Sequence, residues 1–405
     1  MLERFNLEKT YQYLLVVLAF LMPISVSLAN TVIVCIVLLW FFSGDYKAKF
    51  SQIISNKVLI ASLVFYSTHI IGMLWTDNLE WGFHILHKMW YFLILLPILL
   101  TIVKKDYVKH YIISFLAAMA ITEILSYLVW FEIIDEFRKA YYNNPTPFMS
   151  HISFNPFLAF TIYLVSHEIL FNRKLNNKHL FLLVFFLVAM VINMFVTGGR
   201  AGQVMFFFVI VILCFQFFRE HKIKALISIF ILVPGLFFAA FQSSPIFKER
   251  SILAIDEVSK FNVSSVSINQ SVTSSVGVRL LFAMNSWEII KENPFFGVGT
   301  GDFPTEYKKM NQKNSPNGPY ANNPHNMYTL ILVQLGIFGL LSMFSVFYFQ
   351  IKISLMQSNI FFKDLGLALP LLFLVIMWSD SYLLGHFTGL LFIFFSAFLY
   401  KDFEQ

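Results

Sequence analysis

Long apolar runs, separated by short polar segments, recur along the whole chain. A helix of about 20 apolar residues can cross a bilayer, and the uncharged runs repeatedly approach that length. The pattern therefore predicts an all-α polytopic membrane protein with about twelve transmembrane helices. The predicted spans are 11–27, 29–42, 57–75, 89–103, 108–131, 153–171, 179–197, 201–218, 223–241, 325–350, 361–378 and 380–400. The first two, joined between Pro23 and Asn30, are short and are also compatible with one re-entrant pair.

The composition agrees with this class of protein. Of the 405 residues, 58% are hydrophobic and 13% are charged, which excludes the surface of a soluble domain. Phenylalanine supplies 49 residues, which we expect to face lipid. Both cysteines, Cys35 and Cys214, lie in predicted spans, so they indicate neither a disulfide framework nor a metal cluster.

The distribution of Lys and Arg predicts how the helices are oriented. These residues stay preferentially on the cytoplasmic side of short loops, and with the N-terminus inside they fall in alternate connections. The connections assigned to the cytoplasm hold Lys47, Lys49, Lys57, Lys104, Lys105, Lys109, Arg173, Lys174, Lys178, Arg219, Lys222, Lys224, Lys352 and Lys363, and Lys401 follows the last span. The short connections assigned to the outside hold only Lys88, Arg138, Lys139 and Arg200. We therefore expect both termini in the cytoplasm, and the net charge of +6 reflects topology and indicates no nucleic-acid partner.

One segment, 242–324, breaks the membrane pattern and lies outside by the charge argument. Its middle, Asn262 to Ser275, is rich in Ser, Val and Asn and is predicted to be mobile. Val278 to Lys291 has the apolar spacing of an amphipathic helix, which Pro294 ends. The chain then divides into nine transmembrane helices (1–241), a large outer loop (242–324) and three further helices (325–405).

The junction Asn323-Pro324-His325-Asn326-Met327-Tyr328 opens a long apolar helix that carries Gly336 and Gly339. It places an imidazole and an amide where an aqueous loop meets the lipid. Such a position suits chemistry on a lipid-borne substrate, although His325 alone is equally compatible with a helix cap or an interfacial side chain. The two glycines are assigned to helix packing.

Two arginines on the predicted outer side are candidates for anion binding. Arg200 lies in Thr197-Gly198-Gly199-Arg200-Ala201-Gly202, a minimal turn between two spans, and Arg279 opens the amphipathic helix. A guanidinium held by short, glycine-rich backbone suits two-pronged binding of phosphate. Each residue alone also fits a simpler interpretation, in which Arg200 extends to the interface and Arg279 is a solvated loop residue.

Taken together, these residues resemble the bacterial O-antigen ligase family. His325-Asn326, nine residues, Gly336, two residues and Gly339 reproduce that family's pattern of His, then Asn, Ser or Gln, nine residues, Gly, two residues and Gly, Thr or Tyr. The turn 197–200 is similar as well. The wider likeness consists of Arg279 followed by Trp287, then Asn293-Pro294 and Gly297-Val298-Gly299, and a large loop before His325 among twelve spans. The close matches fall between Thr197 and Gly339.

The resemblance implies transfer of a glycan from undecaprenyl diphosphate to the lipid A-core oligosaccharide, at the periplasmic face of the bacterial inner membrane. Arg200 and Arg279 would neutralise the departing diphosphate, and His325 would orient or deprotonate the acceptor hydroxyl. The chemistry is consistent with this, because two guanidinium groups can meet the leaving charge and a histidine accepts a proton near neutral pH. Direct attack by the hydroxyl would invert the anomeric configuration.

Four further residues are weaker candidates for support of this site. Asn326 adjoins His325, and Asp380 and His386 start the last predicted span on the outer side. Lys88, in His84-Ile85-Leu86-His87-Lys88, is a second-rank candidate for the diphosphate. All four are equally compatible with ordinary interfacial positions. No metal or other cofactor is expected, because the outward acidic residues are scattered and lack a calcium-loop spacing.

Other functions remain open at this point. An O-antigen polymerase would use the same donor and a second lipid-linked glycan as acceptor, and the fit of the His325 pattern favours the ligase. A protein O-oligosaccharyltransferase often carries a further large outer domain at its C-terminus, whereas this sequence ends at Gln405 just after its last span. A polysaccharide transporter or flippase would typically show charged or broken helices at mid-membrane in both halves.

Overall fold

The computed structural model describes residues 7–260 and 275–403. The segment expected to be mobile lies, apart from Ser275, outside the described residues. The helices are α1 (Leu7–Leu21), α2 (Val26–Phe42), α3 (Tyr46–Ser55), α4 (Lys57–Gly72), α5 (Leu79–Trp90), α6 (Leu96–Ile102), α7 (Val108–Trp130), α8 (His151–Phe171), α9 (Asn177–Val196), α10 (Arg200–Phe217), α11 (Lys222–Ser243), α12 (Pro245–Lys260), α13 (Ser275–Glu292), α14 (Phe303–Asn314), α15 (Met327–Met356), α16 (Ile360–Ile376) and α17 (His386–Leu399). Strands β1 (Ala140–Tyr141) and β2 (Asn144–Pro145) form a small antiparallel hairpin.

The helices confirm an all-α polytopic membrane protein. In the described residues, eight helices are long and apolar enough to cross a membrane, or nine if the pair α2 and α3, bent by 117°, is one span. Every predicted span overlaps a helix, but α1 and α17 have only 15 and 14 residues. The total of twelve therefore stays a prediction.

Two span boundaries and one connection differ from the expectation. The fourth span begins ten residues earlier, at Leu79, because a π-helical turn at Tyr91–Leu95 joins α5 to α6. The last helix begins only at His386, after an irregular segment. A sharp bend follows α2, where Gly44 and Asp45 both have positive φ angles, in addition to the expected break between α1 and α2.

The helices run between two ends of the bundle. Glu8 and Lys104 form an ion pair of 2.5 Å, and Lys401 donates to the Val103 carbonyl at 2.9 Å. The start of α1 and the end of α17 therefore lie at one end, which we call the opposite face. The end at which α8, α10 and α15 begin is the site face. Both described ends of the chain lie on the opposite face, as an even number of crossings requires.

The centre of the bundle is aromatic, with α17 buried along its length. The Phe395 ring lies 4.7 Å from that of Phe160, and the Phe392 ring lies 4.8 Å from that of Phe373. Edge-to-face and tilted pairs of this kind add packing energy beyond the area they bury. The expectation that the phenylalanines face lipid is therefore wrong for this core, although residues such as Phe230 are 77% exposed.

Helix α15 is interrupted at Gly336, where φ is +60°. The segment after α13 forms hydrogen bonds with the backbone groups that the break leaves unpaired. Val298 donates to the Val333 carbonyl at 2.8 Å, and Ile337 donates to the Pro294 carbonyl at 2.9 Å. Such a break is tolerated at membrane depth only when other backbone or side-chain groups replace the lost bonds. The glycine is structural, as expected, and its partner is a loop backbone.

Helices α13 and α14 pack against α15 beside this connection, and α12 packs against α9, α11 and α13. The predicted helix is present in α13, where Leu281 and Phe282 are buried, but Trp287, which was expected on the same apolar face, is exposed. The buried Asn285 amide donates to Asn311 at 3.2 Å and to Ser315 at 2.9 Å, so α14 is held against α13. The described part of the segment 242–324 thus contains helices that pack on the site face.

Candidate active site

His325 lies immediately before α15, in a left-handed backbone conformation with φ of +52°. This conformation is uncommon for residues other than glycine. Its backbone N–H donates to Asn323 Oδ1 at 2.8 Å. Asn326 caps α15 by accepting from the Thr329 N–H at 3.0 Å and also donates to the Trp378 carbonyl at 3.2 Å. These bonds hold the His325 side chain, which is 44% exposed, at the surface of the site face.

Asp380 lies beside the His325 ring. The Nδ1 atom is 3.3 Å from both carboxylate oxygens, and Asp380 Oδ1 also accepts from the Ser381 N–H at 2.7 Å. A carboxylate can only accept hydrogen bonds, so a neutral His325 carries its proton on Nδ1. The Nε2 lone pair is then available to accept a proton from another molecule. This contact is the one considered from the sequence, in which Asp380 supports His325.

Arg279 reaches the same region through α13. Phe282, three residues further along one face of this helix, stacks on the His325 ring at 6.2 Å with an interplanar angle of 20°. Burial raises the pKa of Tyr382 above its ordinary value; the Asp380 charge raises it further and the Arg279 charge lowers it. The charge of Arg279, in α13, and the charge of Asp380, in the segment before α17, therefore both act on the Tyr382 hydroxyl.

Arg200 begins α10, after a turn that Asn155 holds in place. Thr197 Oγ1 donates to Asn155 at 2.9 Å, and Asn155 donates to the Gly199 carbonyl at 3.2 Å. A Cβ added at Gly202 would lie 2.2 Å from Asn155 Cβ, so the glycine allows α8 and α10 to approach closely. The partly exposed Arg200 is thus fixed at the site face by its backbone.

Two residues that were not predicted from the sequence lie beside this turn. Arg250, from α12, donates to the Gly198 carbonyl, and His151 begins α8. The charges of both Arg250 and Arg279 act on the His151 imidazole, which connects the Arg200 turn with the Arg279 helix. The glycines of the turn signal that neighbours approach closely there, but they do not say which side chains these are.

Two other candidates lie away from His325. Lys88 is exposed on α5, where its charge acts on His84. The His386 ring bonds to the Tyr91 hydroxyl instead of supporting His325. The structure thus brings together His325, Asn326 and Asp380, places Arg279 near them and Arg200 on the same face, and leaves Lys88 apart. Among the described residues there is no group of three or more His, Cys, Asp or Glu that could hold a metal ion.

Comparison with known proteins adds an independent finding. Residues 185–344 match the family model described as O-antigen ligase, a range that includes Arg200, Arg279 and His325 and stops before Asp380. No curated protein matches the chain. The matched family consists of membrane glycosyltransferase-like ligases and polymerases that use lipid-linked glycans. The resemblance seen in the sequence is therefore confirmed over residues 185–344, which match the O-antigen ligase family model.

Proposed function

We propose that the protein is an O-antigen ligase that transfers a glycan from undecaprenyl diphosphate to the lipid A-core oligosaccharide. The observation that carries the proposal is the His325–Asp380 pair, at 3.3 Å, next to the helix that holds Arg279 and within a chain of this family. It supplies a proton acceptor beside a cationic group, which is what glycosyl transfer from a diphosphate requires.

The proposed setting is the inner membrane of a bacterium, crossed twelve times, with the site face in the periplasm. The opposite face carries most of the basic residues of the short connections, including Lys104, Arg219 and Lys401, as a cytoplasmic surface would. Both termini are then cytoplasmic. The outer helices α12 to α14 project into the periplasm, where the core oligosaccharide would meet the donor.

In the proposed reaction, the acceptor hydroxyl attacks the anomeric carbon of the donor glycan. A bond forms from the acceptor oxygen to that carbon, and the bond from the carbon to the diphosphate oxygen breaks, so the configuration inverts. His325 Nε2 takes the hydroxyl proton, and Asp380 stabilises the positive charge that then develops on the ring. Arg200 and Arg279 stabilise the negative charge that develops on undecaprenyl diphosphate as it leaves.

Lipid A-core and a second lipid-linked glycan would both present an acceptor hydroxyl to His325. The ligase is favoured by the fit of residues 325–339 to the ligase pattern, and a polymerase is the alternative with the same donor chemistry. A protein O-oligosaccharyltransferase would share that chemistry too. A transporter or flippase would need no proton acceptor paired with a carboxylate at the membrane surface.

Polysaccharide analysis of a deletion strain tests the proposal. Loss of a ligase leaves lipid A-core without attached polymer, while polymer accumulates on undecaprenyl diphosphate. Loss of a polymerase instead leaves core that carries a single repeat. Purified protein that transfers glycan to lipid A-core in vitro would support the ligase, and transfer only to a second lipid-linked glycan would overturn it in favour of the polymerase.

A further inference from the structure

The Asn144 side chain fixes the hydrogen bonding of the His151 ring. Asn144 Oδ1 accepts from the Gly198 backbone N–H at 3.0 Å, and Asn144 Nδ2 lies 3.2 Å from His151 Nδ1. A backbone N–H can only donate, so the amide oxygen must point to Gly198 and the amide nitrogen to His151. The nitrogen is a donor, and His151 Nδ1 must therefore be the acceptor.

This arrangement sets the tautomer of the ring. A neutral imidazole has one acceptor and one donor nitrogen, so His151 carries its proton on Nε2. Protonation of Nδ1 would set two donors against each other and would add a positive charge where those of Arg250 and Arg279 already act. The ring therefore presents an N–H group from Nε2, for which the described residues provide no hydrogen-bond acceptor.

Arg250 adds a guanidinium to the same place. One of its nitrogens donates to the Gly198 carbonyl, and a Cβ added at Gly198 would lie 2.6 Å from the guanidinium carbon. The group is thus packed flat against the turn that leads to Arg200. Among the side chains that the structure describes, no carboxylate lies at ion-pair distance from Arg250 or Arg279. Guanidinium groups gathered without a carboxylate form a positively charged place that suits a phosphate anion.

We propose that Arg250 and His151 are two further residues that bind the diphosphate of the lipid-linked donor, Arg250 as a third guanidinium and His151 as a neutral N–H donor. The inference rests on the proposed function and names the part of the site that holds the leaving group. The free N–H groups of Arg250 and His151 Nε2–H bind oxygens of the phosphate closer to the Gly198 turn. His325 has a different role, because its carboxylate partner prepares it to accept a proton.

Binding of inorganic pyrophosphate and of a glycan-free polyprenyl diphosphate to the purified full chain, measured by calorimetry, tests this proposal. Arg250→Gln and His151→Phe should each weaken the binding of both ligands by about tenfold or more, as expected for loss of a hydrogen bond to a charged group. His151→Gln, which keeps an N–H donor, should stay within about threefold of wild type. Lys248→Gln, an exposed cation two residues from Arg250, is the matched control and should bind as wild type does.

The outcomes separate this inference from the proposed function. If wild type binds both diphosphates and Arg250→Gln and His151→Phe bind them equally well, the inference is wrong and the proposed function stands. If wild type binds neither ligand, the proposed function itself fails. Should Arg250→Gln not fold, as gel filtration and thermal unfolding would show, the contrast between His151→Phe and His151→Gln decides: equal binding by these two variants overturns the donor role.

Discussion

His325 Nδ1 lies 3.3 Å from both carboxylate oxygens of Asp380, 55 positions later in the chain. The contact joins the junction before α15 to the irregular segment before α17. Because a carboxylate only accepts, it holds the imidazole in the tautomer whose Nε2 can take a proton. This relationship is the basis of the proposed mechanism and of the first prediction.

Asp380→Asn should lower the rate of glycan transfer by about 10²-fold or more, because the amide can donate to Nδ1 and thereby favour the wrong tautomer of His325. Initial rates of transfer by purified variants at matched protein amounts measure the effect. Asp106→Asn, an exposed change on the opposite face, is the control and should be neutral. An Asp380→Asn variant with the wild-type rate would remove the carboxylate from the mechanism.

The two family arginines should not tolerate lysine. Arg200→Lys and Arg279→Lys keep the charge but lose the planar, two-pronged group, so each should lower kcat/KM for the lipid-linked donor by about tenfold or more. Arg173→Lys, on an exposed connection of the opposite face, should have no effect. Donor kinetics that are unchanged in both site variants would leave only general electrostatic attraction as their role.

Gly336→Ala should destabilise the folded protein, because the residue has φ of +60° and an added Cβ would lie 2.3 Å from the Phe295 carbonyl carbon. A strained backbone alone costs about 1–3 kcal/mol, and here a backbone contact must also give way. Gly235→Ala is the matched control, since a Cβ at that position meets nothing within 4 Å. Thermal unfolding in detergent should separate the two variants, and equal midpoints would contradict the docking of residues 294–299 on α15.

The proposed topology predicts which cysteines an impermeant thiol reagent can reach in intact cells whose outer membrane has been made permeable. After Cys35 and Cys214 are replaced, Asn317→Cys on the site face should be labelled, whereas Ser51→Cys on the opposite face should not. Both positions are exposed, so accessibility of the side chain does not decide the result. Labelling of Ser51→Cys alone would place His325 in the cytoplasm and exclude the proposed reaction.

Much of the fold could be predicted from the sequence, because a span has a physical length that apolar runs reveal. The α17 boundary was placed too early, since the short segment Ser379 to Gly385 lies directly between two apolar runs, and only the bundle shows that it is irregular and lies beside His325. The burial of Phe392 and Phe395 in the protein core could not be predicted for a related reason. Apolar side chains suit both lipid and protein interior, so composition cannot assign them to either.

The site divides in the same way. Arg200 and Arg279 stand out in the sequence as arginines close to glycines at predicted membrane junctions, and His325 stands out through the spacing of the glycines that follow it. Arg250 and His151 do not stand out, because their relation to Gly198 depends on the packing of α8, α10 and α12. His325, Arg200, Arg279 and Asp380 could be named from the sequence, whereas Arg250 and His151 could not.

The rate of glycan transfer by purified His325→Ala tests the central claim most directly. The variant should be inserted and should still bind the polyprenyl diphosphate donor through its arginines, while transfer falls by about 10²-fold to 10⁴-fold, the usual contribution of a general base. His325→Gln, which can orient a hydroxyl but cannot take its proton at neutral pH, shows how much of the loss is due to orientation. Transfer by His325→Ala at the wild-type rate, with donor binding intact, would contradict the assignment of this site.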